Sequence, residues 1–347
     1  LVNWMTCLAP PAPLRSEWAS VHGLDGFAGE ELAADIAALE TELEISDAPN
    51  IPPKDAVILR GAGALGYKAS VIRRNGVGCG DCGTCPFGCR SGAKRSGLRV
   101  HLAEAYRTGA RIVADAPVSR VLMEHGAVTG VEAIHRPDGA GHARRLTVRA
   151  RQVVVAAGAL RTPVILERSG LRHPAIGRHL RLHPVPVVAG RFAEPIEMWR
   201  WTTQAARSEY RSQPGEDVRD YVIESAPAHP GLVALAFPWE GTDAFAAMLE
   251  RLRWFAPLIA ITRDSGEGRV RLTRAGTARV DYDLAPGDVA TMRHALVRMA
   301  RIARAAGAQA IVAVGTPPAW HGRDGFPPGG EERAFRSFEE RLARFDF

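Results

Sequence analysis

Lysine is scarce in this 347-residue sequence. It occurs only at Lys54, Lys68 and Lys94, so arginine supplies nearly all of the positive charge, and the formal net charge of +6 is scattered along the chain. A surface that binds nucleic acid needs basic residues gathered on one face or in one run. The sequence therefore predicts no nucleic-acid partner.

Long apolar runs are also absent. The longest, 153–160 and 255–261, fall well short of the roughly 20 residues that a membrane helix requires. We therefore expect no transmembrane segment. The chain starts without methionine and without a charged segment followed by an apolar one. We expect neither a signal peptide nor a natural start, and interpret the chain as an internal piece of a longer protein.

Cysteine is rare outside one short segment. Of five cysteines, four lie between Cys79 and Cys89. A secreted disulfide scaffold has an even number of cysteines spread along the chain, which this sequence lacks. The pattern favours a reducing compartment, and we expect a cytoplasmic location.

The first half of the chain combines helices with short β-favouring runs. Apolar residues recur at helical spacing in 29–43, with further helices predicted at 97–108 and 163–169. Runs separated by Gly, Pro or Asp predict strands at 110–114, 118–124, 127–135, 145–150 and 152–156. Because the last run is apolar at successive positions, it predicts a strand buried on both faces of a parallel sheet.

A possible phosphate site follows that strand. Ala157, Gly158 and Ala159 lie between the predicted strand and the next helix. This order places free backbone N–H groups and the positive end of a helix at the edge of a sheet, where phosphates bind in α/β folds. A plain strand–turn–helix crossover with small residues for close packing explains the same pattern.

The second half predicts a different domain, built on an antiparallel sheet. A helix follows it at 286–306, with its apolar residues on one side. The predicted strands cover 186–192, 198–205, 221–225, 233–237, 258–263, 269–273 and 278–282.

A G-x-G-x-x-G motif occupies 61–66, after the strand-like 56–59. In a dinucleotide site the motif opens a full helix and a second strand ends in an acid that binds ribose. Here only 67–73 could form a helix, and Asp81, at the nominal distance, lies among the cysteines. We therefore predict a turn with close backbone packing in place of a nucleotide site.

Cys79, Cys82, Cys85 and Cys89 have the C-x₂-C-x₂-C-x₃-C spacing of bacterial ferredoxins. Arg90 stands where ferredoxins have proline, and no second cysteine run is present. We predict a tight loop that binds no metal, its thiols buried and reduced or joined in a disulfide. An iron–sulfur or metal-binding electron-transfer module is the alternative.

Three segments resemble one known family. The stretch Ala156 to Gly170, followed by 176–180 and His183-Pro184, resembles the second signature of the glucose–methanol–choline (GMC) flavoprotein oxidoreductases. Val2-Asn3, followed by Pro10 and Ser16, resembles the end of the first signature. Residues 74–96, with the clustered cysteines, are similar to the long-chain alcohol oxidase branch.

The resemblance implies oxidation of a primary or secondary alcohol by hydride transfer to FAD. The substrate would be a small molecule with a long or bulky apolar body, and either oxygen or another acceptor would reoxidise the flavin. It also implies a mixed α/β and α+β fold. We expect a partial, incomplete Rossmann-like FAD-binding domain at 1–183, an antiparallel-sheet substrate domain at 184–310 and a return segment at 311–347.

The family motifs also assign roles to particular residues. Asn3 would lie near the flavin ring, Val118 would meet adenine through its backbone, and Ala157 and Gly158 would let the backbone approach FAD. The structural alternatives are a turn residue for Asn3, a core strand residue for Val118 and a packing glycine for Gly158. We assign no catalytic residue within the chain, and expect these 347 residues alone to be inactive. His183 is predicted to be structural, and neither His294 nor His321 has a partner at the spacing of a metal site or a catalytic triad.

Overall fold

The computed structural model describes residues 4–137, 142–213, 215–322 and 331–347. Their contacts divide the chain into two compact units. Unit 1 comprises Glu104–Leu182 and Asp264–Pro286. Unit 2 comprises the described residues up to Ala103, His183–Arg263 and Gly287–Phe347. The domain boundaries at 183 and 310 remain a prediction.

Helices and strands alternate irregularly along the chain. The helices are α1 Ala12–His22, α2 Glu30–Glu42, α3 Pro53–Ala64, α4 His101–Arg107, α5 Gly158–Arg168, α6 Pro230–Ala236, α7 Thr242–Glu250, α8 Pro286–Ala305 and α9 Glu331–Leu342. The strands are β1 Ser46–Asp47, β2 Ala69–Val71, β3 Arg73–Arg74, β4 Val118–Glu124, β5 Ala127–His135, β6 Arg144–Arg149, β7 Val187–Arg191, β8 Ala206–Tyr210, β9 Tyr221–Glu224, β10 Phe255–Thr262, β11 Arg269–Leu272, β12 Ala278–Asp281, β13 Ala310–Ala313 and β14 Ala319–His321.

Unit 1 is built from two antiparallel sheets and helix α5. Strands β4, β5 and β6 form one sheet in sequence order, and β11 pairs with β12. His125 and Gly126 both have positive φ, the conformation that a two-residue hairpin between β4 and β5 requires. Helix α5 packs against β4 and β11. The predicted hairpins are confirmed.

Unit 2 is built on a larger antiparallel sheet, in the order β14-β13-β7-β10-β9-β8-β2. Neighbouring residues along a strand face opposite sides of a sheet. On one side a Cβ added to Gly190 would lie 3.3 Å from Cβ of Ala303, so α8 covers this face closely. On the other side Ala189 pairs with both Pro257 and Val312, and these residues face a cavity. The mixed α/β fold with an antiparallel sheet is confirmed.

The expected buried parallel strand at 152–156 is wrong for the described residues. This segment belongs to no strand, and Val154 is 90% exposed. Every strand pairing in the described part of the chain is antiparallel, and none involves 152–156. An extended apolar segment becomes a buried strand only where neighbours accept its hydrogen bonds and cover both faces. The run predicted at 110–114 is likewise no strand.

Two other predicted strands are helices. Residues 233–237 largely belong to α6, where Pro230 occupies the first turn and Nδ1 of His229 accepts the N–H of Gly231 at 3.2 Å. Residues 56–59 lie inside α3, which also starts at a proline. The strand predicted at 198–205 begins only at Ala206.

The close backbone packing predicted for the G-x-G-x-x-G motif is confirmed, but the predicted turn is wrong, because most of the motif is helical. Gly61 and Gly63 lie within α3, and Gly66 follows its end with φ of 67°. A Cβ on Gly61 would lie 2.1 Å from the carbonyl oxygen of Ile302. The glycine therefore lets α3 and α8 touch backbone to backbone, and no phosphate loop is formed.

Candidate functional site

In unit 1, the family-like stretch places an open glycine at the start of α5. Gly158 has φ of 81°, and a Cβ added there would meet nothing within 4 Å. The N–H of Ala157 donates to Oγ1 of Thr162 at 3.1 Å, while no side chain caps the helix. Uncapped N–H groups and the positive end of the helix favour an anion in the open space. These features fit the phosphates of FAD.

The other predicted FAD contacts occupy different places. Val118 is the first residue of β4 and is 37% exposed, so it is not the core residue of the structural alternative. Three residues on, the N–H of Val121 donates to Oγ of Ser169 at 2.8 Å, which fixes β4 against the C-terminal end of α5. Asn3 lies outside the described residues. The FAD roles of Asn3, Val118, Ala157 and Gly158 remain predictions.

A cleft of about 620 Å³ opens beside α5 in unit 1. Its wall includes Thr162 of the helix and the basic side chains of Arg172, Arg178 and Arg181. Gly177 shapes it, because its φ is 71° and an added Cβ would lie 2.0 Å from the carbonyl oxygen of Val270. Three arginines therefore line the cleft, and two of them, Arg172 and Arg181, donate to backbone carbonyl oxygens.

In unit 2, the face of the large sheet opposite α8 forms the floor of an apolar cavity of about 220 Å³. The floor consists of alternate strand residues, and α6, α7 and Trp320 supply the walls. Almost no polar surface faces the cavity, so it suits the apolar body of a ligand. The side chains that define it include Val187, Ala189, Met198, Leu232, Phe237, Met248, Phe255 and Val312.

The histidines singled out in the sequence have different surroundings. His183 is exposed, with φ of 38°, and its structural role remains a prediction. Nδ1 of His294 lies 2.8 Å from the hydroxyl of Tyr221, and burial lowers the pKa of His294. His321 stacks on Phe338 with ring centroids 5.5 Å apart, and burial lowers its pKa too.

Sequence reasoning missed a buried polar cluster below the sheet of unit 2. Lys54 and Asp55 form an ion pair with no exposed surface. Oδ1 of Asp55 accepts the N–H groups of Ala205 at 2.8 Å and Ala206 at 3.2 Å. Burial raises the pKa of nearby Glu224 to about 7. No sequence signal marked these residues, since charged residues in a first helical turn are usually solvated.

The clustered cysteines carry free thiols. No three His, Cys, Asp or Glu side chains in the described part of the chain are grouped so that they could hold a metal ion. That the protein binds no metal or cluster remains a prediction. Within residues 4–137, 142–213, 215–322 and 331–347, no helix has both the length and the apolar character to cross a membrane.

Comparison with known proteins gives consistent results. The family model described as GMC oxidoreductase matches residues 1–185. An uncharacterized GMC-type oxidoreductase of Mycobacterium tuberculosis is 36% identical over 324 residues, which cover 92% of this chain and 50% of that protein. A long-chain-alcohol oxidase of Arabidopsis thaliana is 27% identical over 326 residues, 89% of this chain and 43% of that protein. The chain thus spans about half the length of the curated relatives it matches.

Among solved structures, the chain aligns with an FAD-dependent oxidoreductase from Chaetomium thermophilum. The TM-score is 0.44 and the identity 13%, over 85% of this chain and 61% of that one.

Proposed function

This chain belongs to the GMC oxidoreductase family, and on that premise we propose that the whole protein is an FAD-dependent oxidase or dehydrogenase of alcohols with a long or bulky apolar body. The observation that carries the substrate class is the apolar cavity of unit 2. Support also comes from the relatives named long-chain-alcohol oxidases.

The residues of unit 1 have a binding role in this proposal. When bound, FAD supplies the acceptor for the hydride of the alcohol carbon. Gly158 keeps the start of α5 free of side-chain atoms, and the uncapped N–H groups there would hold negatively charged phosphate oxygens. Ala157 is exposed beside it and has no side chain beyond Cβ to obstruct a ligand.

The residues of unit 2 position the substrate and exclude water. The side chains of Ala189, Pro257 and Val312 provide a flat apolar floor, because they project from paired positions of adjacent strands. An alkyl chain that lies on this floor is removed from water, which stabilises binding by about 0.8 kcal/mol per buried CH₂ group. Because the substrate is held through its apolar body, its hydroxyl group can be positioned by other groups of the protein.

The first test is the visible spectrum of the full-length protein. Purified without oxygen, it should show bound flavin, and a long-chain primary alcohol should bleach the flavin band. Ethanol at the same concentration should bleach it far more slowly, because ethanol buries little apolar surface. A protein without flavin, or a flavin that no alcohol reduces, would sink the proposal.

The second test narrows the apolar cavity. In Ala189→Phe the ring would occupy much of the floor, so we expect KM for a long-chain alcohol to rise about tenfold or more while ethanol oxidation changes little. Ala189→Ser is the matched control, since it keeps the volume of the side chain. Equal effects of Ala189→Phe on both alcohols would place substrate binding elsewhere.

A further inference from the structure

The segment around Cys82 carries thiol groups that the proposed alcohol oxidation does not use. Cys82-Gly83-Thr84-Cys85 is a C-x-x-C sequence, the spacing of redox-active dithiols. Both thiols are free, Cys82 is exposed and Cys85 is partly buried. We propose that Cys82 and Cys85 are a redox-active dithiol that hydrogen peroxide or an organic hydroperoxide converts to a disulfide.

The backbone of this segment is held in place on both sides of Cys82. Gly83 has φ of 71°, and a Cβ there would lie 2.2 Å from the carbonyl oxygen of Trp199, so the turn lies directly on that backbone. Asp81 has φ of 50°, and its carboxylate accepts a hydrogen bond from Nδ2 of Asn50 at 2.9 Å. The fully buried guanidinium of Arg74 lies 3.8 Å from the same carboxylate. The turn between the two cysteines is therefore fixed by packing and charge.

The surroundings make the two thiols unequal. Sγ of Cys82 lies 3.1 Å from Oγ1 of Thr84, and this contact, with the positive charge of Arg90, lowers the pKa of Cys82. Burial raises the pKa of Cys85, and the neighbouring thiols of Cys79 and Cys82 raise it further. Cys82 is thus suited to attack, and Cys85 to remain a protonated thiol until it resolves the first product.

Thr84 can respond to ionisation of Cys82. Its hydroxyl has one hydrogen, which it donates to the carbonyl oxygen of Gly88 at 3.1 Å while Cys82 is a thiol. When Cys82 loses its proton, the same hydrogen can turn to the thiolate, and charge-assisted hydrogen bonds of this kind are roughly twice as strong as neutral ones. Thr84 therefore acts on the reaction through Cys82, as a positioning residue.

A small oxidant can reach Cys82 from solvent. The thiol opens on a groove of about 470 Å³ whose walls include Thr84, Trp199 and Arg200. Phe87 and His229 close one side, with ring centroids 5.3 Å apart. Cys82 is exposed, whereas Cys79 and Cys85 are less accessible.

The chemistry balances in two steps. The Cys82 thiolate attacks one peroxide oxygen: the S–O bond forms and the O–O bond breaks. The leaving oxygen takes up a proton and departs as water from hydrogen peroxide, or as an alcohol from an organic hydroperoxide. The Cys85 sulfur then attacks the Cys82 sulfenic acid, so that the S–S bond forms, the S–O bond breaks and water leaves. Two thiols are oxidised by two electrons, one peroxide is reduced, and the chain loses two hydrogen atoms.

The test uses the full-length protein, reduced, freed of reductant and treated with one equivalent of hydrogen peroxide. Intact mass should fall by two hydrogen atoms, and the change should reverse with dithiothreitol. In Cys85→Ser the mass should instead rise by one oxygen, trapped by dimedone on Cys82. Cys82→Ser should react about tenfold or more slowly, while Cys79→Ser and Cys89→Ser should match the wild type.

A pH profile separates reactivity from folding. The rate of Cys82 alkylation should rise through a midpoint that moves to higher pH in Thr84→Val and returns in Thr84→Ser, which restores the hydroxyl. An unmoved midpoint in Thr84→Val would overturn the role of Thr84. The dithiol itself would be overturned by a disulfide that survives Cys85→Ser but is lost in Cys79→Ser, or by direct oxidation to sulfinic acid in the wild type.

Discussion

At the scale of single residues, the cluster beneath the sheet of unit 2 shows how a helix and a strand are joined. Asp55 accepts two backbone N–H groups where β8 begins, and Nζ of Lys54 donates to the carbonyl oxygen of Thr203 at 3.2 Å. Breaking such a buried pair by removing one partner costs about 3–5 kcal/mol, because the other charge stays buried. The pair therefore holds α3 against the start of β8.

Glu224 should make unit 2 less stable as pH rises. Burial sets its pKa at about 7, against an ordinary 4.5, with Arg207 and Lys54 opposing the shift and Asp55 adding to it. The folded state therefore retains the proton longer than the unfolded state, and the stability from this group, complete below pH 4.5, is lost as pH rises to 7. The free energy of unfolding of Glu224→Gln, taken relative to that of the wild type, should therefore rise by up to about 3 kcal/mol between pH 4.5 and pH 8.

Urea unfolding at the two pH values measures this difference. At pH 4.5 the carboxyl of Glu224 is largely protonated in the folded wild type. Both side chains are then neutral, so the stability difference between variant and wild type at this pH is the control for the one at pH 8. A stability gap that is the same at both pH values would show that Glu224 is not the titrating group.

At the scale of elements, helix α5 has a glycine of positive φ near each end. Gly158 begins the helix with φ of 81° and Gly170 follows it with φ of 78°. Neither has an atom within 4 Å of an added Cβ. The two sites thus share backbone conformation and free space, and differ in the sign of the helix dipole.

This symmetry supplies a matched control for FAD binding. In the full-length protein, Gly158→Val should sharply reduce the flavin retained per chain, because the side chain would enter the space that we propose FAD occupies. Gly170→Val should retain flavin despite the same backbone strain, and so should Gly63→Val inside α3. Flavin absorbance and thermal unfolding measure the effect. Equal flavin loss from Gly158→Val and Gly63→Val at equal thermal stability would contradict the assignment.

At the scale of the whole molecule, the described residues leave the surroundings of the predicted FAD site open. Residues 152–156 belong to no strand, and Val154 is 90% exposed. The space beyond Gly158 is likewise bounded by no described atom within 4 Å of the added Cβ.

We therefore expect residues 1–347, expressed alone, to bind no FAD stoichiometrically and to oxidise no alcohol. The physical reason is that a cofactor held on one side only keeps most of its surface in water. Visible absorbance and an alcohol-oxidation assay check this, with the full-length protein as the control. A yellow, active preparation of the isolated chain would contradict it.

The full-length protein should contain little metal. Full-length protein purified without oxygen should carry flavin but less than roughly one iron or zinc per ten chains, since a true four-cysteine site holds its metal nearly stoichiometrically. Elemental analysis provides the measurement. Near-stoichiometric iron that disappears in Cys82→Ser would restore the electron-transfer alternative and remove the free dithiol.

The sequence by itself determined the elements whose signals are local. The hairpin of β4 and β5, the hairpin of β11 and β12, and helix α8 were all predictable, because turn residues and apolar periodicity act within a few residues of each other. The family was recognisable for a similar reason, since its signature around Gly158 is continuous in sequence. Of the site, this made Ala157 and Gly158 predictable as neighbours at a helix start.

Only the tertiary structure decided which segments find partners. Residues 152–156 have the composition of a buried strand but form none, and Val154 is 90% exposed. The strand-like 56–59 lies in a helix that starts at a proline and contacts α8 at Gly61. Burial of Lys54, Asp55 and Glu224, and the meeting of β7, β10 and β13 around one apolar cavity, join residues far apart in sequence. Such contacts depend on packing free energy summed over the whole unit, which no local pattern records.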